Sequence, residues 1–81
     1  MMEVEAEVSL YPLGEPHLSH PIQAFVKVLE DHGCKAEVGP MSTIVKGESK
    51  QVFEALRVGY EQACQKGGCV LFVKASNVCP A

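Results

Sequence analysis

A chain of 81 residues with a hydrophobic fraction of 47% is long enough for one small domain, which we place over residues 1–81. Its formal charge of -3, without clustered Lys and Arg, argues against a nucleic-acid partner. No apolar run approaches the roughly 20 residues of a membrane span, and the Glu-rich start lacks a secretion signal. We therefore expect a cytoplasmic protein with no membrane partner. Its mean hydropathy of +0.08 is high for a small soluble chain and predicts a homo-oligomer.

The first predicted strand begins at Glu3. Small and branched apolar residues alternate there with polar ones, which is the period of a strand with one buried face. The apolar set is Val4, Ala6, Val8 and Leu10, and the polar set is Glu3, Glu5, Glu7 and Ser9. Because Pro12 cannot donate to a ladder and Gly14 can adopt a positive φ, the strand is expected to stop and turn at this point.

Two amphipathic helices are predicted further along the chain. Ser19 or His20 can cap the first helix, and Gly33 ends it. The second helix follows from Ser49 and ends at Gly67-Gly68. Their apolar stripes are Ile22, Phe25, Val26 and Leu29 in the first, and Val52, Phe53, Leu56, Tyr60, Ala63 and Cys64 in the second.

Three more strands are predicted, over residues 35–38, 41–46 and 69–75, with the first two paired as a hairpin. The resulting order is β-α-β-β-α-β, and two amphipathic helices bury their stripes best on one side of a four-stranded antiparallel sheet. The fold class is therefore an α/β (α+β) sandwich of the ferredoxin-like kind, with strand order 4-1-3-2. Because the last strand is apolar on both sides, we expect a second subunit or a ligand to cover the uncovered side of the sheet.

The four cysteines, Cys34, Cys64, Cys69 and Cys79, are expected to be free thiols. Their spacings contain no Cys-x-x-Cys, so we expect no metal site. Cys64 and Cys69 flank the predicted Gly67-Gly68 bend and could approach each other, although buried thiols are favoured over a redox pair.

Three segments together resemble the YkoF-like thiamine-binding protein family. They are Ser9-Leu10-Tyr11-Pro12-Leu13-Gly14, then Gly33, then Pro40-Met41-Ser42-Thr43-Ile44-Val45-Lys46-Gly47-Glu48. The resemblance extends from Val4 to about Lys74 and implies a ferredoxin-like fold and dimers that commonly pair into tetramers. It also implies thiamine or its hydroxymethylpyrimidine moiety as ligand, with no cofactor. The chain differs from the family pattern at Ser42, where Gly is frequent, and at Lys46, where Glu is frequent.

Thiamine presents an aminopyrimidine and a cationic thiazolium. A site for it needs hydroxyls or backbone groups near the first ring, and a carboxylate or an aromatic face near the second. The candidate ligand-binding residues are Glu7, Ser9, Tyr11, Pro12, Leu13, Gly14, Met41, Ser42 and Thr43. Ser9 and Thr43 can reach one ligand if their side chains share a face of the sheet. The alternative is that both are ordinary strand residues, that the glutamates form a solvated face, and that Met41 fills the core or an interface.

The sequence favours a non-enzymatic carrier, buffer or sensor, because no Ser or Cys is paired with a His in a catalytic pattern. One alternative is an ACT-like regulatory module that binds another small molecule at a subunit interface, and another is a structural oligomer. An acylphosphatase is disfavoured because the loop after the first strand, residues 12–15, lacks Arg.

Overall fold

The structure, a computed structural model, describes residues 1–14 and 19–78, with the side chain of Ser19 left out. The elements are β1 (Glu3–Pro12), α1 (Ser19–Asp31), β2 (Lys35–Val38), β3 (Thr43–Glu48), α2 (Ser49–Ala63) and β4 (Cys69–Ser76). This is the predicted β-α-β-β-α-β order. Cys79 lies outside the described residues, so its expected state as a free thiol stays a prediction.

The four strands form one antiparallel sheet in the order β2-β3-β1-β4. The ferredoxin-like prediction and the β2-β3 hairpin are therefore confirmed. The β3 strand begins at Thr43, two residues later than the predicted start at Met41. The reason is a tight turn before it, in which the Gly39 N–H donates to the Ser42 carbonyl over 2.8 Å. Met41 consequently belongs to the hairpin turn.

The core lies between one side of the sheet and both helices. The residues buried there include Val4, Ala6, Val8 and Leu10 from β1, Phe25 and Leu29 from α1, and Val52 and Leu56 from α2. Full burial of one such large side chain contributes about 1.5–3 kcal/mol of hydrophobic free energy. The prediction that β1 has one buried face is thus confirmed. One side of the strand lies in the core, and the other faces away from the helices.

Helix α2 buries part of the predicted stripe, and with it two smaller residues that the stripe did not include. Ala55 and Gly59 are buried, whereas Phe53, assigned to the apolar stripe, is 49% exposed. A Cβ atom on Gly59 would lie 2.7 Å from Cδ1 of Phe25. The absent side chain therefore allows the Phe25 ring of α1 to rest against α2.

The two helices contain 13 and 15 residues. The start of α2 is set by Glu48, whose carboxylate accepts hydrogen bonds from the N–H groups of Lys50 and Gln51, at 3.0 and 3.4 Å. Such a cap satisfies donors that have no partner within the helix. Within residues 1–14 and 19–78, neither helix has the length and apolar character needed to cross a membrane.

Candidate functional site

The side of the sheet that faces away from the helices is the candidate site, and we call it the open face. On β1 it carries Glu3, Glu5, Glu7, Ser9 and Tyr11. Directly opposed residues of antiparallel strands point to the same side of a sheet. Glu7 is opposite Ile44 of β3 and Lys74 of β4, and Ser9 is opposite Phe72. The register therefore brings acidic, basic, hydroxyl and aromatic groups together on this face.

The centre of the open face is the Glu7 carboxylate. The Ser42 hydroxyl donates a hydrogen bond of 2.9 Å to its Oε2 atom. Its Oε1 atom lies 3.5 Å from Nζ of Lys74. Because a bond to an ionised acceptor is stronger than one between neutral groups, Ser42 holds this carboxylate in place while leaving it partly accessible. Two predicted site residues, Glu7 and Ser42, are thus in direct contact.

Aromatic surface lies next to this carboxylate. Tyr11 and Phe72 are 53% and 61% exposed, and both belong to the open face. Tyr11 is opposite Val70, so the rings of Tyr11 and Phe72 occupy diagonal positions across the β1-β4 pair. Sequence reasoning missed Phe72, because the run from Cys69 to Val73 is apolar on both sides of the strand. Only the register with β1 shows that this ring lies opposite Ser9.

A second carboxylate, Glu5, lies two residues before Glu7 on the same face of β1 and is opposite Lys46. Its Oε1 atom is 3.5 Å from Nζ of Lys46, although within the described residues this buried oxygen accepts no hydrogen bond. The two residues line a cavity of about 720 Å³ that reaches β2. The Lys at position 46 therefore compensates the charge of Glu5 on the open face.

Thr43 does not share a face with Ser9. It is opposite Val8 and only 6% exposed, on the side of the sheet that faces the helices. The condition under which both hydroxyls reach one ligand is therefore not met. Since side chains alternate along a strand, Ser42 is the hairpin residue that reaches the open face. Met41 lies in the turn and is 87% exposed.

The Pro12-Leu13-Gly14 turn is hydrogen-bonded to another loop of the chain. Gly14 adopts a positive φ of 78°, as expected for a residue that reverses the chain. The Leu13 N–H, however, donates to the carbonyl of Gly68 over 2.9 Å. This donor therefore joins the turn to the loop between α2 and β4, while ligand contact by the residues of the turn stays a prediction.

That loop is closed by a disulfide between Cys64 and Cys69, whose Cα atoms are 5.6 Å apart. The expectation of free thiols is therefore wrong for this pair. The end of α2 and the start of β4 bring the two sulfur atoms together, which the spacing in the sequence allows but does not require. Cys34 is free and buried, and burial raises the pKa of its thiol above the usual range.

A separate cavity of about 440 Å³ lies between the start of α1 and the end of α2. Phe25, Gln62 and Lys66 are among the residues that line it. Pro12 is the one predicted site residue among its described lining residues. The cavity is thus distinct from the open face, where Glu7 and Ser9 lie.

The sequence matches the family of thiamine-binding proteins over residues 6–74. The chain belongs to the thiamine-binding protein family. The resemblance drawn from the loop and hairpin motifs is therefore confirmed, and membership indicates a thiamine-related binding role. No curated protein matches the sequence at a significant level.

Solved structures confirm the fold of this family member. A hypothetical protein of Methanocaldococcus jannascii is 23% identical with a TM-score of 0.89, over 100% of this chain and 86% of that one. A Thermotoga maritima protein, named for a candidate role in thiamine biosynthesis or salvage, is 24% identical with a TM-score of 0.77, over 91% and 82% of the two chains. A domain of unknown function from Bacillus cereus is 18% identical with a TM-score of 0.78, over 93% and 75%.

Proposed function

We propose that this protein is a non-enzymatic carrier, buffer or sensor that binds thiamine or its hydroxymethylpyrimidine moiety on the open face. The observation that carries the proposal is the Glu7 carboxylate, which Ser42 holds in place beside Ser9 and the exposed ring of Phe72. Family membership supports the ligand class, and so does the name of the Thermotoga maritima protein of similar fold.

The groups of the open face match the two rings of thiamine. The positively charged thiazolium can pair with the Glu7 carboxylate, while the aminopyrimidine lies towards Ser9. Ser9 can donate to a ring nitrogen or accept from the amino group. The thiazolium carries a positive charge that the rings of Tyr11 and Phe72 can attract, with a contribution of about 0.5–2 kcal/mol. The expected site is therefore centred between β1 and β4.

A second copy of the chain is proposed to cover this site, with dimers paired into a tetramer. The open face of one chain is exposed at Tyr11, Val70 and Phe72, whereas small-molecule sites are usually concave and bury most of the ligand. Apolar side chains clustered on one face are typical of a surface that is buried in an assembly. A partner subunit would supply the missing wall and exclude water from the Glu7 carboxylate.

The position of the histidines supports binding rather than catalysis. In the described part of the chain they are His20 and His32, which belong to α1 and the turn after it. Nδ1 of His32 lies 2.8 Å from the Val28 carbonyl, so this imidazole is engaged at the end of its own helix. A hydroxyl nucleophile needs a base within hydrogen-bond reach, and both helices pack on the side of the sheet opposite Ser9.

The proposal is tested by isothermal titration calorimetry with thiamine and with hydroxymethylpyrimidine. Glu7→Gln keeps the size of the side chain and removes its charge, so thiamine affinity is expected to fall about tenfold or more. Glu3→Gln is the matched control, because Glu3 lies at the far end of the same face, opposite Glu48. No heat with either ligand, or the same affinity in Glu7→Gln as in the unmodified protein, would overturn the proposal.

A further inference from the structure

The two inner carboxylates of the open face are each paired with a lysine. Glu5 is opposite Lys46, and Glu7 is opposite Lys74, with nitrogen to oxygen distances of 3.5 Å in both pairs. These partners are set by the strand register. Positions directly opposite each other on one face have Cβ atoms about 4.5–5.5 Å apart, whatever rotamers the long side chains adopt. The centre of the open face therefore has no net negative charge.

This compensation determines which ligands the face can accept. A ligand that is only cationic must displace Lys74 from Glu7 and leaves the lysine without its partner. A ligand that carries both a cation and an anion keeps every charge paired, since its cation meets Glu7 and its anion meets Lys74. The lysine is free to move with the anion, because its side chain is 76% exposed. An exposed ion pair costs little free energy to rearrange.

Lys74 lies closer than Lys46 to the proposed ligand position. Phe72 lies two residues before it on β4, on the same face and opposite Ser9. The positive charge thus lies beside both the central carboxylate and the aromatic surface. Lys46 is on the other side of β1 and faces Glu5, farther from these rings. A ligand held between Glu7 and Phe72 therefore has Lys74 as its nearest cation on β4.

We propose that Lys74 makes the open face selective for a phosphate ester of the cationic ligand over the unphosphorylated form. This inference rests on the proposed function, because it concerns the same ligand on the same face. A phosphate group carries about -1.5 to -2 charges at neutral pH, and lysine binds it as a flexible point charge. The preferred ligand is zwitterionic, with a heteroaromatic cation at Glu7 and a phosphate at Lys74.

The experiment is calorimetric titration of the full chain with thiamine and thiamine monophosphate. The unmodified protein is expected to bind the phosphate ester about three- to fivefold more tightly than thiamine, the ratio that one exposed ion pair supports. In Lys74→Met the ester binds more weakly and thiamine more tightly, because Glu7 has lost its competing cation, so the preference reverses. Lys50→Met, on exposed α2 surface, is the matched control and keeps the original preference.

The outcomes separate this inference from the proposed function. If thiamine binds and the ester binds no better, or if Lys74→Met keeps the preference for the ester, the selectivity of Lys74 is overturned while thiamine binding stands. If neither compound binds the unmodified protein, the proposed function fails and the inference fails with it. Lys74→Gln provides a second variant, and an unchanged circular dichroism spectrum confirms that both variants are folded.

Discussion

Ser42 and Glu7 are 35 residues apart in the sequence, and the Ser42 hydroxyl donates a 2.9 Å hydrogen bond to the Glu7 carboxylate. The bond attaches the β2-β3 turn to the central strand on the open face. Because the second oxygen of Glu7 lies 3.5 Å from Lys74, one carboxylate connects the hairpin to the opposite edge strand. The candidate site is therefore held together by groups from three strands or their turns.

Ser9 and Thr43 are expected to differ in their effect on ligand binding. Ser9→Ala removes a hydroxyl from the open face, so thiamine affinity should fall about threefold to tenfold, the usual range for one hydrogen bond. Thr43→Val alters a buried side chain on the helix side and should leave thiamine affinity unchanged. Calorimetric titration of both variants checks this. Equal losses of affinity in the two variants would mean that the ligand does not lie on the open face.

Phe72 is expected to control assembly. Phe72→Asp puts a charge on the surface that a second copy would cover, so native mass spectrometry should show monomers where the unmodified protein forms dimers or tetramers. Phe53→Asp is the matched control, since Phe53 is exposed on α2 and away from the sheet. A Phe72→Asp protein with unchanged assembly would exclude the open face as the interface. The same spectra of freshly purified protein also reveal any small molecule retained during purification.

Gly59→Ala should destabilise the fold even though alanine is the better helix former. The added Cβ would lie 2.7 Å from the Phe25 ring. Overpacking costs about 1–3 kcal/mol, against a gain in helix propensity of about 1 kcal/mol. The free energy of unfolding, measured in urea, should therefore fall. Gly67→Ala is the control, because its nearest contact would be 3.7 Å away and its stability should change little. A Gly59→Ala protein as stable as the original would contradict the helix packing described above.

The Cys64–Cys69 disulfide should stabilise the chain modestly. The two cysteines are five residues apart, and closing so short a loop removes about 2 kcal/mol of unfolded-state entropy in the chain-entropy model. Urea unfolding with and without a phosphine reductant measures this difference, in a Cys79→Ser background that prevents mispairing. Cys64→Ser should unfold identically under both conditions. If reduction, verified by thiol counting, leaves stability unchanged, the disulfide has no stabilising role.

Much of the fold could be predicted from local patterns. The alternation from Val4 to Leu10 fixes which face of β1 is buried, and Gly14 and Gly33 do adopt the positive φ that ends their elements. The apolar stripe of α2 was less informative. Phe53 belongs to the predicted stripe yet is exposed, and the close contact between Gly59 and Phe25 joins two residues far apart in the sequence.

The candidate site was harder to predict, because it depends on register across strands. Nothing in the sequence says that Thr43 is opposite Val8, and this pairing alone moves its hydroxyl away from Ser9. The same register brings Phe72 opposite Ser9 and Lys74 opposite Glu7. A shift of one residue in the pairing register of a strand would move each of its side chains to the other face of the sheet. Local patterns therefore indicate the kinds of groups present, while the sheet pairing decides which of them meet.

The most direct measurement is the titration of ¹⁵N-labelled protein with thiamine, followed by amide chemical shifts. The largest shifts are expected at Glu7, Ser9, Tyr11 and Phe72, with little change in the helices. Shifts confined to the cavity between α1 and α2, at Phe25 and Gln62, would contradict a site on the open face.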